Sequence, residues 1–313
     1  MAVLALIAGA IGVDMAHRKP TGVRYTAGTG GQVALPFVGL QRPEGVAVDR
    51  QGDVYVVDRG NNRVLKLSAN SNIQVALPFS GLTSPHGVAV DSVGSVYVTD
   101  GSNRVVKLVP GRPQTVLPFE GLIAPAGVAV DARDAVYVTD AFNDRVLKLS
   151  ANSTKQTELP FKGLSWPTGV GVSATGDLYV VEYTNNRVQK LGAGSASSSV
   201  LRVTVASATS SPEAPTAALN GVALPEGVAV DPLGVMQVML PAGLAVSFAG
   251  NVYIANRSGN RVVKYAEGRV PVSVPFTGLD HPDGVAVDTA GALYVADSAN
   301  NRVLRLVPGW AEQ

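Results

Sequence analysis

In each of six repeated copies a Pro-x-Gly triplet stands before a Val-rich segment, and its middle residue changes from copy to copy: Glu44, His86, Ala126, Thr168, Ala242 and Asp283. Two carboxylates and an imidazole are groups that hold a divalent cation when an open coordination position remains, and they equally hydrogen-bond a polar ligand. The polar-ligand reading is preferred. A metal site made of Glu44, His86 and Asp283 is the lesser reading, because no fuller ligand ring and no acid and base at a set spacing accompany them. Arg42 and His281, each one residue before its proline, and Arg59 and Arg257, each just after a strand-like Val-Tyr segment, add basic and polar groups to the set. Phe142, Trp166 and Tyr183 complete it with aromatic surface, which gives contact area at little entropic cost. These ten residues are the candidate ligand-binding face; no residue is assigned a catalytic role and no cofactor is implied.

The elements that must carry these residues follow from a repeat. The phrase GVAVDRQGDVYVVDRGNNRVLKL begins at Gly45 and returns in close form at Gly87, Gly127, Gly169, Gly243 and Gly284. The copies are 40–42 residues apart, except that the interval from Gly169 to Gly243 is longer by roughly 33. Each copy reads as four strands: a (Gly-Val-Ala-Val), b (Val-Tyr-Val), c (Arg-Val-Leu-Lys-Leu) and d, a stretch ending in Leu-Pro-Phe. Between a and b, Asp-x-x-Gly suits a type I turn. Four antiparallel strands repeated six times describe an all-β, six-bladed β-propeller. Gln32 to Phe37 is a d-type strand standing before the first a strand, while the sixth copy ends after c. The N-terminal strand is therefore expected to complete the C-terminal blade and close the ring.

Composition agrees with this reading. Of 313 residues, 34 are Gly, 20 are Pro and only 16% are charged, against about a quarter in an average domain. With 46% apolar residues the chain is not intrinsically disordered, and zero Cys excludes thiolate nucleophiles and Cys-based zinc sites. A net charge of +1 supplies no field for holding a nucleic-acid backbone, so nucleic acid is not an expected partner. Residues 1–20 read as an apolar stub (Met1 to Val13, then His17, Arg18 and Lys19), the remnant of a membrane anchor or an export signal. Residues 21–310 read as the propeller. The extra residues at about 192–242 read as a flexible insertion with one d strand (Ser199 to Val205) and a duplicated a-turn-b half-repeat (Leu224 to Val238).

The phrase Leu-Pro-Phe-x-Gly-Leu-x-x-Pro-x-Gly-Val-Ala-Val-Asp, at Leu35 to Asp49 and Leu77 to Asp91, together with Asn62-Arg63-Val64 and its equivalents, resembles the NHL repeat family of β-propellers. More narrowly it resembles the extracytoplasmic sensor domains of mycobacterial receptor serine/threonine protein kinases of the kinase D type. That resemblance implies a propeller outside the cytoplasm, membrane-anchored through its N-terminus or secreted, that binds an external protein, peptide or glycan. The sequence holds no Gly-rich nucleotide loop and no His-Arg-Asp or Asp-Phe-Gly triplet, so kinase activity is not implied.

Residues present in every copy are assigned to structure. Arg63, Arg104, Arg145, Arg187, Arg261 and Arg302 open strand c, and Asp58, Asp100, Asp140, Glu182 and Asp297 close strand b, with Asn256 in the fifth copy. They are expected to form exposed ion pairs worth about 0–1 kcal/mol each that fix the b–c turn. Six strand-b tyrosines and the five phenylalanines that close strand d are expected in the core. Function is left to residues that break the repeat. A non-catalytic binding module is the leading reading, ahead of a metal-dependent lyase or lactonase and of an RNA-binding propeller.

Overall fold

In a computed structural model the chain is described over residues 31–308, apart from positions 70, 72, 202–227, 231–235, 239–240, 267–268 and 270. The apolar stub, with His17, and the aromatics Tyr25 and Trp310 lie outside the described residues. Strand β1 (Gln32–Ala34) precedes blade one, which is β2 (Pro43–Val48), β3 (Val54–Asp58), β4 (Arg63–Leu67) and β5 (Gln74–Ala76). Blade two is β6 (Val88–Val90), β7 (Val96–Asp100), β8 (Arg104–Leu108) and β9 (Thr115–Val116). Blade three is β10 (Pro125–Val130), β11 (Val136–Asp140), β12 (Arg145–Leu149) and β13 (Gln156–Glu158). Blade four is β14 (Pro167–Val172), β15 (Leu178–Glu182), β16 (Arg187–Leu191) and β17 (Ser199–Val200). After β18 (Val228–Val230) and β19 (Met236–Val238), blade five is β20 (Pro241–Val246), β21 (Val252–Asn256), β22 (Arg261–Tyr265) and β23 (Val272–Ser273). Blade six is β24 (Pro282–Val287), β25 (Leu293–Asp297) and β26 (Arg302–Leu306), with β1 as its outer strand.

The fold is the expected six-bladed propeller of four-stranded antiparallel blades. The ring closes as expected, by Gln32, Val33 and Ala34 pairing with Leu306, Arg305 and Leu304. Strands β18 and β19 form a hairpin, and β19 meets β16 through Gln237 opposite Arg187, on the edge of β16 that also carries β17. The d strands are shorter than expected: β5 ends at Ala76 because Pro78 cannot donate to a ladder, and the Phe79 N–H turns back to the Leu77 carbonyl. Phe37, Phe79, Phe119, Phe161 and Phe276 are therefore only partly buried, packed against the core from outside it. In blade four only Ser199–Val200 of the expected d strand pairs, and 202–205 lie outside the described residues.

The core sits between blades. Every residue of β3, β7, β11, β15, β21 and β25 is buried, since a blade packs on a neighbour with both faces. Tyr55 and Val57 of blade one, for example, pack with Val88, Val96 and Val98 of blade two. The tyrosines keep one polar tip: the Tyr55 hydroxyl donates to Asp49 at 2.9 Å, the same aspartate whose other oxygen accepts the Gln51 and Asp53 N–H groups of the a–b turn. Burial pushes the Tyr55 hydroxyl up to about 12, so it remains a donor.

At the axis the Pro-x-Gly glycines permit a close approach that no side chain would. A Cβ at Gly45 would lie 2.6 Å from the His86 carbonyl oxygen, one at Gly87 2.5 Å from that of Ala126, and one at Gly127 2.6 Å from that of Thr168. The series continues from Gly243 to Asp283 and from Gly284 back to Glu44 across the seam; at Gly169 the approach is looser, the Ala242 carbonyl oxygen lying 3.2 Å from a Cβ placed there.

The Asn-Asn-Arg signature is a latch between loops and between blades. Asp58, Asp100, Asp140, Glu182 and Asp297 are fully buried, which corrects the expectation of exposed surface pairs. Asp58 accepts hydrogen bonds from the Gln41 N–H at 2.7 Å, the Asn61 amide at 2.8 Å and Arg63 Nε at 2.7 Å, joining the d–a loop to the b–c turn. The second Asn position adopts left-handed backbone, with φ between 49° and 60° in all six copies, where Asn and Asp are the favoured non-glycine residues. Its side-chain oxygen accepts a backbone N–H of the next blade, as Asn62 does from Ser84 at 2.7 Å and Asn301 from Arg42 at 2.8 Å across the seam. The outer rim has a latch of its own. The Gln32 amide both donates to and accepts from the backbone of Thr277, as do Gln74 with Val38, Gln114 with Ser80 and Gln156 with Glu120. Among the described residues no helix is long and apolar enough to cross a membrane.

Candidate functional site

Because d–a and b–c loops emerge on one face and strand a is innermost, residues that break the repeat there gather at the mouth of the axial channel. A cavity of about 540 Å³ opens at that mouth. It is lined by Glu44, Arg59, His86, Phe142, Trp166, Tyr183, Arg257 and Asp283, eight of the ten candidate residues, over a floor of the six glycines and the valines, or in blade five Leu244, that follow them. Arg42 and His281 are not among its lining residues. His281 shares the backbone position of Trp166, each with φ 49°, but its ring is held outside by Asp280, Nδ1 lying 2.6 Å from Oδ1.

The cavity has two unlike walls. Blades three and four supply the apolar one. Phe142 and Trp166 lie with ring centroids 4.7 Å apart and planes tilted by 47°, and Trp166 and Tyr183 follow at 6.1 Å and 43°. Trp166 thus packs on aromatic neighbours from two b–c loops. Its backbone is fixed from both sides: its N–H donates to Asp144 at 2.7 Å and its carbonyl accepts the Tyr183 N–H at 2.9 Å. Phe142 remains 57% exposed and Trp166 42%, although burying such apolar surface is favourable. Ala124 and Ala141 extend this wall toward the axis.

Blades five, six, one and two supply the charged wall. Arg257 meets Asp283 at 3.2 Å, Arg59 Nη1 donates to Glu44 Oε2 at 2.9 Å, and His86 Nδ1 lies 2.8 Å from Glu44 Oε1. Ser298 stands beside Asp283 at the ring seam, its hydroxyl donating to the Pro43 carbonyl of the adjacent blade. Burial pushes the Asp283 carboxyl above the usual aspartate value, and the negative charge of Glu44 adds to this against the pull of Ser298, Arg257 and Arg59. Burial acts on Glu44 in the same sense, but the hydrogen bonds and positive charge of His86 and Arg59 outweigh it and hold that carboxyl below the usual value.

The two neighbouring carboxyls are thus pushed in opposite directions from their ordinary values. Carboxyl carbon NMR titration should find Asp283 titrating above the ordinary aspartate value and Glu44 below the ordinary glutamate value; a shift of either in the other sense would contradict the described contacts. In linkage terms, Asp283 contributes stability that is full below its unfolded-state value and lost as pH rises through its raised folded value. Glu44 contributes stability present above its unfolded-state value and lost as pH falls through its lowered folded value.

As a metal centre the charged wall is poorly supplied. Each carboxylate already faces a guanidinium, and among the described residues no three His, Cys, Asp or Glu side chains stand close enough together to hold a metal ion. As a recognition surface it offers donors and acceptors in alternation, opposite aromatic rings. Sequence reasoning missed the contribution of Ala124, Ala126 and Ala141. The signal was present, since small residues at those positions in blade three leave room that larger ones would fill.

Residues 40–67, 164–191 and 279–306 match the NHL repeat family. No curated protein matches the chain. Among solved structures it is similar to virginiamycin B lyase from Staphylococcus aureus, with 15% identity and a TM-score of 0.60 over 90% of this chain and 87% of that one. A gluconolactonase from Xanthomonas campestris gives 15% identity and a TM-score of 0.63 over 89% and 90%. An auxiliary nutrient binding protein from Bacteroides thetaiotaomicron gives 12% and 0.65 over 85% and 69%. These likenesses establish the fold, which enzymes and binding proteins share.

Proposed function

From the premise of a six-bladed β-propeller in which three segments match the NHL repeat, we propose that this chain is a non-catalytic recognition module whose ligand enters the axial mouth between the aromatic and charged walls. The observation that carries this reading is the contiguous trio Phe142, Trp166 and Tyr183, kept partly exposed at the edge of a ligand-sized cavity. Rigidity supports it as well, because latches at axis, mouth and rim hold the walls in place before any ligand arrives, which lowers the ordering cost of binding. In its fuller form the proposal is a sensor domain working outside the cytoplasm, attached to a membrane through its N-terminal apolar run. The Leu-Pro-Phe-x-Gly-Leu-x-x-Pro-x-Gly phrase supports that form.

The combined change Trp166→Ala and Tyr183→Ala should leave the melting temperature within about 3 °C of the parent while weakening ligand binding about tenfold or more. Alanine is already the native residue at the position of Trp166 in blade three, where Ala124 has φ 50°. Differential scanning calorimetry decides the point: a large loss of stability would assign the pair to packing.

A second reading, a metal-dependent lyase or lactonase, draws on the opposed shifts of Asp283 and Glu44, since neighbouring carboxyls whose surroundings push them in opposite directions are the starting point for an acid and a base. Metal analysis of dialysed protein with a lactone-hydrolysis assay tests it. Substoichiometric metal, with no activity after adding Zn²⁺ or Ca²⁺, would remove it.

A further inference from the structure

Resting on the recognition reading above, we infer that the ligand of the axial mouth is a neutral carbohydrate, one face of a sugar ring lying on Trp166 and its hydroxyls read by the Arg257–Asp283 and Arg59–Glu44 pairs. Charge is the first ground. The wall holds two guanidinium groups against two carboxylates, each pair in contact at 3.2 and 2.9 Å, and His86 is spent on the same Glu44 carboxylate at 2.8 Å. An anionic or cationic ligand would have to displace one partner and leave the other unpaired at a half-buried site, which is costly. A neutral ligand leaves both pairs intact.

Unused hydrogen-bonding capacity is the second ground. A guanidinium carries five N–H donors, and Arg59 and Arg257 each spend Nη1 on a carboxylate. Among the described residues the Trp166 indole N–H and the Tyr183 hydroxyl have no side-chain or backbone partner. Donors and acceptors alternate along the wall, and a hydroxyl is the group that both donates and accepts. Vicinal hydroxyls on a rigid ring satisfy such a surface; a hydrocarbon does not.

The aromatic geometry is the third ground. The C–H face of a sugar ring is apolar and slightly positive, suited to the negative face of a π-system. Competing aromatic-site ligands fit less well. Phe142 and Trp166 touch at 4.7 Å with planes tilted 47°, so there is no parallel slot to sandwich a nucleobase and no gap to cage an ammonium group. The cavity of about 540 Å³ lies within the usual range for small-ligand sites and suits on the order of one or two sugar rings.

The test is a glycan array carrying neutral, carboxylated, sulfated and amino-sugar glycans, probed with the labelled full chain and followed by calorimetry with the tightest-binding free oligosaccharide. Neutral glycans should bind, and charged derivatives should bind no better than their neutral parents. Trp166→Ala and Arg257→Lys should each weaken binding about tenfold or more, the second because lysine keeps the charge against Asp283 but loses the planar fork. Phe248→Ala, at a residue 86% exposed and outside the cavity lining, should change nothing. A blank array, binding confined to charged glycans, or binding that survives Trp166→Ala would overturn the carbohydrate assignment. A phage-displayed peptide library separates this from the broader reading. Peptide binding that depends on Trp166, with a blank array, leaves the recognition site standing without its sugar; binding that ignores both Trp166 and Arg257 removes the site itself.

Discussion

Gly284→Ala is expected to lower the free energy of unfolding by about 3 kcal/mol or more, although it adds a single methyl group. A Cβ there would stand 2.2 Å from the Glu44 carbonyl oxygen and 2.9 Å from the Val46 nitrogen. Both are backbone atoms of strand β2, so no side chain can rotate away and the innermost strands of blades six and one must separate. That separation falls on the seam where the ring closes, and it would also disturb the ladder that ties β1 to β26. Gly111→Ala is the control. Gly111 has φ 72° with nothing within 4 Å of an added Cβ, so its cost is the left-handed backbone alone, about 1–2 kcal/mol. Urea unfolding of both variants measures the difference. Equal losses would mean that axial close packing is not what the recurring glycine serves.

Asp58→Ala is expected to cost about 3 kcal/mol, the lower end of the range for breaking a buried ion pair. The carboxylate is fully buried and accepts from Gln41, Asn61 and Arg63, all of which lose their acceptor together. Arg63 reaches solvent, with a side chain 36% exposed, and this moderates the loss. Asp58→Asn should cost less. Blade five already carries Asn256 at this position, and there Arg261 Nε turns to the Gly259 carbonyl at 3.0 Å while the Gly259 N–H donates to Asn256. Thermal unfolding of the two variants checks the order, and a harmless alanine would return the pair to the surface role that its sequence spacing suggests.

That misreading has a physical source. Periodicity shows that every blade needs an acid at the end of strand b and an arginine at the start of strand c, but it does not show what lies over them. The d–a loop covers Asp58 with Gln41, 17 residues away, and no spacing within one blade announces it. The same blindness hid the partner of Asn62, which is Ser84 in the next blade. What is local was legible. Turns, strand order and the closing strand Gln32 to Ala34 could be read because each repeats or completes a phrase. The candidate site was legible for a complementary reason: eight residues that depart from the repeat at fixed positions converge because the positions themselves do. Arg42 and His281 depart from it too, yet they are absent from the cavity lining, His281 because Asp280 holds it, a contact made by its own neighbour and invisible to alignment of the copies.

The most direct measurement of whether recognition happens on the aromatic wall uses the fact that the chain has only two tryptophans, Trp166 and Trp310. A Trp310→Phe variant leaves Trp166 as the sole reporter. Titrated with the tightest ligand from the array or the peptide library, its emission should shift to the blue and saturate at the same concentration as the heat of binding. Emission that stays constant while calorimetry reaches saturation would place the ligand elsewhere and contradict the account.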